Sequence, residues 1–215
     1  MERRLKRRRR WWLWPAGGIA LLVLLALIAP TRHAALRAIG ATLAISDPLG
    51  PADVGVMTES GQAGELEMSD LYHEHVIPRV LILAPAEDAV AVELARRGVH
   101  HEDLMVTTLV ELGVPKTAIS TIDAGEGGTT ESAEALSAWA RAPPSRILLV
   151  VDPTHARRYR RSLMRVWPAG LESPRYTYPR DNPFRASDWW TSRRTRRDGI
   201  VEFARLLWDC LWHPW

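Results

Sequence analysis

The 215 residues are 47% hydrophobic and 25% charged, a balance that suits one folded domain and excludes a disordered chain. The net charge of +3 is unevenly placed: residues 1–10 carry +6, which leaves −3 for residues 11–215. The body therefore offers no basic groove for a phosphate backbone, which argues against nucleic acid as a partner, and the single cysteine, Cys210, rules out an intrachain disulfide.

The chain opens with Arg3, Arg4 and a basic run from Lys6 to Arg10, followed by Trp11, Trp12 and Trp14. No residue from Trp11 to Pro30 is charged. At about 1.5 Å per residue that stretch covers a hydrocarbon core of about 30 Å, with the tryptophans at the interface. A cleaved signal peptide fits less well, because Pro30 and Arg32 stand where a cleavage site of small residues belongs. The pattern predicts a basic cytoplasmic tail (1–10), one transmembrane helix (11–30), a juxtamembrane helix and linker (31–51), and a folded domain (52–215). The positive-inside rule then places the domain on the outer side of the inner (plasma) membrane, with membrane lipid as a partner of the helix.

Beyond Pro51 the pattern alternates. Short apolar runs at 53–58, 79–84 (RVLILA), 118–122, 146–151 (RILLVV) and 175–178 read as strands. The stretches 65–75, 86–97, 102–112, 129–141, 154–167 and 187–211 read as helices, punctuated by Gly113, Pro115, Pro143 and Pro144. RVLILA and RILLVV, continuously apolar after their first arginine, belong at or near the centre of a sheet buried on both faces. Alternating strands and helices predict a three-layer α/β fold with a mostly parallel, Rossmann-like sheet, preceded by the transmembrane helix. In such sheets ligands bind beyond the carboxyl ends of the strands. That directs attention to the loops at Glu59–Gly61, Pro85–Glu87, Asp123–Glu131 and Asp152–His155.

Those loops carry further signals: an Asp53 that opens the first strand, Leu71-Tyr72, Glu102 on a helix ending in Leu112-Gly113-Val114-Pro115, a Thr-x-Glu turn at Thr129 and Glu131, and His-x-x-Arg at His155 and Arg158. In this order they resemble the SanA/YdcF-like family, bacterial domains of unknown function often tethered to the inner membrane. The resemblance covers about residues 52–210. It implies a pocket with His155, Glu131 and Glu102 in catalytic roles and Arg158, Thr129, Asp152 and Glu59 as ligand-binding residues. Two positions that are phosphate-friendly in the family are acidic here, Glu126 and Asp152.

The residues themselves allow two readings at each point. His155 and Arg158 lie three apart at the start of a helix, so both face one way beside free backbone N–H groups, an arrangement suited to anions. The same helix carries Arg157, Arg160, Arg161 and Arg165, any of which serves equally as solvated surface. Thr129 and Glu131 fit a helix cap, and Glu102 fits a first-turn acid. His73, His75, His100 and His101 raise a metal site, but adjacent residues on a helix or strand do not converge, and no metal is expected. Ile200, Phe203, Ala204, Leu207, Trp208 and Leu211 fall at helical spacing and predict a core-facing stripe. The expected function is a membrane-anchored envelope protein binding a phosphorylated or nucleotide-like ligand, or a lipid carrier, in cell-wall metabolism. The alternative is a divergent, non-catalytic binding or scaffolding module of the same fold. No cofactor follows, and catalysis itself is left open.

Overall fold

In the computed structural model, which describes Gly18 and residues 28–58, 60–84, 89–98, 101–124, 128–141 and 146–212, the two apolar runs flank the centre of a five-stranded sheet. The strands are β1 (Val54–Met57), β2 (Val80–Ala84), β3 (Ile119–Asp123), β4 (Ile147–Val150) and β5 (Arg175–Thr177). Their order is β3-β2-β1-β4-β5, with every neighbouring pair parallel. Val56 pairs with Leu81 on one side and Leu149 on the other. Parallel strands need crossover helices, and these supply the outer layers. One layer holds α2 (Gly61–His73) and α4 (His101–Glu111), with α3 (Ala89–Arg96) between β2 and α4 in the chain; the other holds α5 (Thr129–Trp139) and α6 (Ala156–Val166).

Side-chain alternation divides the core accordingly. Val54, Val56, Leu81, Leu83 and Leu149 pack with Ala133, Leu136, Tyr159 and Leu163 of α5 and α6. Met57, Val80, Ile82, Leu148 and Val150 pack with Met68, Leu71 and Leu109 of α2 and α4. Gly55 permits the second contact, because a Cβ there would stand 2.4 Å from Ile77 Cδ1 and 3.0 Å from Met68 Cε.

Two further helices close the fold. Residues Ala29–Leu43 form α1, with Pro30 in its first turn, where the missing N–H costs nothing. Residues Arg193–Trp212 form α7. Leu43 of α1, Leu206 of α7, Phe184 and Trp189 make a third apolar cluster, edged by Leu36, Ile39 and Phe203. Trp189 Nε1 donates to the Leu36 carbonyl (2.7 Å) and the ring of His33 stacks on Trp190. The segment read as juxtamembrane helix and linker is thus packed against the domain.

The membrane reading requires correction. Among the described residues no helix is long and apolar enough to cross a membrane. The longest, α7, carries Arg193, Arg194, Arg196, Arg197, Asp198, Glu202, Arg205 and Asp209 over its twenty residues. The described end of the expected span belongs to α1, which carries Arg32 and Arg37 and packs into the third cluster. The rest of that span, 11–17 and 19–27, and the basic tail 1–10 lie outside the described residues. The transmembrane helix, membrane lipid as its partner, the single-pass inner-membrane localisation and the envelope role built on them are accordingly withdrawn.

The stripe on the closing helix is corrected too. Ile200, Leu207, Trp208 and Leu211 are 56%, 49%, 63% and 73% exposed, while Thr195, Gly199, Glu202 and Leu206 are buried. The helix turns inward the face that carries its acids, and the cause is α6. Arg158 pairs with Glu202, and Arg161 and Arg165 both pair with Asp209, at 2.9–3.1 Å. Arg161 is only 6% exposed and meets a carboxylate, and of the expected stripe only Phe203 is turned inward, to the edge of the third cluster.

Candidate functional site

The strand order reverses direction between β1 and β4, each of which sends its following helix to a different face of the sheet. At such a switch point the two loops diverge and leave a crevice beyond the carboxyl ends of the strands. The crevice here is a cavity of about 550 Å³. Ser60, Gly61 and Gln62 wall it on the β1 side, Asp152 and Thr154 on the β4 side, and Asn182, Arg194, Asp198, Glu202 and Arg205 roof it. Gly61, with φ +60°, takes the left-handed conformation that turns the chain from strand into α2. No side chain caps the start of α2, so its first-turn N–H groups face this wall without intrahelical partners.

Asp152 organises the roof. Its Oδ1 accepts from the Thr154 N–H (2.9 Å) and hydroxyl (2.6 Å), a local turn that leads β4 into α6. Its Oδ2 accepts from Asn182 Nδ2 (2.9 Å), and Asn182 Oδ1 in turn accepts from the Phe184 N–H (2.9 Å). Asp152 therefore ties residues 182–184 to the end of β4, and its carboxylate oxygens are spent on that tie.

His155 and Arg158 project from the start of α6 toward Thr129 at the start of α5, with side chains only 16% and 17% exposed. All three guanidinium nitrogens of Arg158 donate inward: Nε to Glu202 Oε2 (3.1 Å), Nη1 to Thr129 Oγ1, and Nη2 to His155 Nδ1 (2.8 Å). Arginine has no lone pair to offer, so the last contact makes Nδ1 an acceptor and fixes the Nε2–H tautomer. Nε2 then donates to Thr129 Oγ1 (3.2 Å). Nδ1 also lies 3.4 Å from Glu202 Oε2. It cannot donate there while it accepts from Arg158, and the shorter contact decides.

Glu202 completes the cluster. Oε1 accepts from Arg205 Nη1 (2.6 Å). Burial pushes its carboxyl up, but the Arg158 charge and the Arg205 hydrogen bond outweigh that and hold it well below the usual carboxylate range. It is ionised throughout the neutral range.

Thr129, His155 and Glu202 have the connectivity of a nucleophile, base and orienting acid, but their surroundings disarm them. Arg158 occupies the Nδ1 lone pair that a carboxylate would need to face as N–H. The void bordered by Thr129 and His155, with Thr58, Ser132 and Tyr159, is about 20 Å³, roughly the room for one water. His155 does not line the large cavity; Glu202 does.

The other expected residues stand apart from this cluster. Glu131 is exposed, and its carboxylate lies back over Gly128, the residue before α5, as an acid in a first helical turn does. Glu102 falls within α4, and its side chain is not among those described; Glu59 and Glu126 lie outside the described residues. Among the described residues no three His, Cys, Asp or Glu side chains gather as metal ligands, and His73 bonds to the Leu112 carbonyl (3.0 Å).

Glu202, Asn182 and Arg194 went unread in the sequence. A signal for Glu202 existed: Glu202 and Asp209 are seven apart, matching Arg158 and Arg165 on α6, a ladder of opposite charge between two helices. No family model matches the chain, and no curated protein matches it either.

Proposed function

We propose that this chain is a non-catalytic binding module of Rossmann-like architecture, which seats a small, oxygen-rich ligand in the crevice between β1 and β4. One observation carries the reading: both ring nitrogens of His155 are already engaged, by Arg158 and Thr129, so the cluster has no free base to offer a substrate. The crevice, by contrast, is open and built for recognition. Backbone N–H groups at the start of α2 offer donors, and so does Arg194, which is exposed and has no ion-pair partner among the described residues. Gln62 and Asn182 contribute amides able to bond hydroxyl groups. The motifs resembling the SanA/YdcF-like family support the same reading, since Asp152 is acidic and committed to the roof.

The test has two arms. Thermal-shift measurements with citrate, inorganic phosphate and glucose should give a saturable rise in Tm with at least one, lost in Arg194→Ala. Turnover of p-nitrophenyl acetate and p-nitrophenyl phosphate should stay at background. Hydrolysis that disappears in His155→Gln would overturn the non-catalytic reading. No shift with any probe, or a shift unchanged in Arg194→Ala, would overturn the seat.

A further inference from the structure

A second cavity, of about 420 Å³, opens where α1, α6 and α7 meet, and it shares no lining residue with the crevice. Its size falls within the roughly 300–1,000 Å³ of small-molecule sites. The lining comes from Thr42 of α1, Arg157, Arg160, Arg161 and Met164 of α6, and Leu206 and Cys210 of α7. The four α6 residues sit at i, i+3, i+4 and i+7, one face of that helix. Along this face polarity changes. The end nearest the start of α6 is cationic; about 10 Å further on, at 1.5 Å per residue, the wall is Met164. Leu206 is buried behind it, and the arginine stems add methylene surface.

The cations at the polar end are unequally committed. Arg161 is held by Asp209 (2.9 Å). Arg160 reaches Asp47 only at 3.4 Å, with its guanidinium over the ring of Tyr176. Arg157 uses Nε alone, to the Thr42 carbonyl (2.9 Å), and its two Nη groups have no acceptor among the described residues. A planar fork of unspent donors at one end of an apolar trough matches a carboxylate that carries a hydrocarbon tail.

We propose that this trough binds one single-chain anionic amphiphile, a free carboxylate of medium chain length, with its head on Arg157 and Arg160 and its tail along Met164, Leu206 and Cys210. Charge complementarity fixes the head, and the apolar wall fixes the tail. Either part alone binds weakly, because acetate buries no tail and a neutral alcohol leaves the Arg157 fork unpaired. The inference stands independently of the crevice.

Calorimetric titration of the full chain with decanoate below its micelle concentration tests it. The expected result is saturable binding of one molecule per chain, with acetate and decyltrimethylammonium failing to bind. Arg157→Gln should weaken decanoate about tenfold, the loss of one charge-assisted contact. Met164→Glu, at a position 40% exposed where a charge is tolerated by the fold, should abolish binding by setting a carboxylate beside the tail. Absence of saturable binding overturns the proposal. So does equal affinity for decyltrimethylammonium, or decanoate affinity unchanged in both variants. Co-sedimentation with anionic phospholipid vesicles in preference to free decanoate would reassign the face to a bilayer and overturn it equally.

Discussion

Replacing Glu202 with glutamine removes the charge from the cluster while keeping its volume. In the folded chain the carboxyl is held at a pKa of about 2 against an ordinary value of 4.5. At about 1.4 kcal/mol per unit, that difference bounds the charge's contribution at about 3 kcal/mol. A second route agrees. Arg158 is 17% exposed and loses its carboxylate, a change costing about 3–5 kcal/mol when nothing replaces it. The glutamine oxygen still accepts one bond, and Arg205, 60% exposed, adds no more than about 1 kcal/mol. Glu202→Gln should therefore lower stability by about 2–3 kcal/mol at pH 7, and Tm by roughly 5–10 °C for a domain of this size. The folded pKa lies below the unfolded one, so the stabilisation is fully present above about pH 4.5 and is lost as pH falls toward 2. Urea titrations of both proteins at pH 7, 5 and 3 should show the gap between them constant from 7 to 5 and reduced by pH 3. A gap below about 0.5 kcal/mol at pH 7, or one that does not shrink on acidification, would refute the account of Glu202 as the ionised centre of the cluster.

Other substitutions probe neighbouring parts. Val150→Asp puts an unpaired carboxylate in a position of zero exposure in β4, a cost of several kcal/mol against a total of about 5–15, so soluble expression should fail; a folded variant would make β4 peripheral. Asp152→Ala frees Asn182 and should speed limited proteolysis near residues 182–184 while leaving circular dichroism unchanged; unaltered cleavage would show the roof to be held elsewhere. Gly199→Ala sets a Cβ 2.5 Å from the Trp189 ring and 3.0 Å from Phe184, and should cost about 1–3 kcal/mol by overpacking, read as a drop in Tm.

The fold was legible where burial alone decides it. After their leading arginines, RVLILA and RILLVV are apolar because both faces of β2 and β4 are covered. His155 and Arg158 were legible as a pair on one face because i, i+3 spacing at the start of a helix sets both side chains the same way. Their partner was not. On α7 two faces compete, an apolar one at 200, 203, 204, 207, 208 and 211, of which only Phe203 packs inward, and an acidic one at 202 and 209. Periodicity ranks the apolar face first. What reverses the order is the charge of α6, whose arginines lie more than forty residues from the acids they meet, and no pattern internal to α7 contains it. The bonds of Asp152 were hidden for a related reason. The resemblance implies a ligand-binding role for it, whereas in the structure its own turn and Asn182 claim it, and the arginine goes to Glu202.

The start of the domain can be decided by the sign of a single effect. Read from the sequence, residues 31–51 form a helix and linker outside the folded unit. In the structure Gly40 is where α1 meets the segment before α7: a Cβ there would stand 2.6 Å from the Ala186 carbonyl oxygen, 2.8 Å from Ala186 Cα and 2.8 Å from Trp189 Cδ1. Two of those three atoms are backbone and cannot swing aside. Gly40→Ala therefore sets two terms against each other. Helix propensity favours alanine by about 1 kcal/mol. Overpacking opposes it by about 1–3 kcal/mol, toward the upper end here because backbone must move. If α1 is docked as described, the second term wins and Tm falls by a few degrees. If α1 were a free linker helix, nothing would meet the new methyl and Tm would hold or rise. A thermal melt of Gly40→Ala reads the sign directly, and a rise would remove α1 from the fold, together with the Thr42 wall of the second cavity.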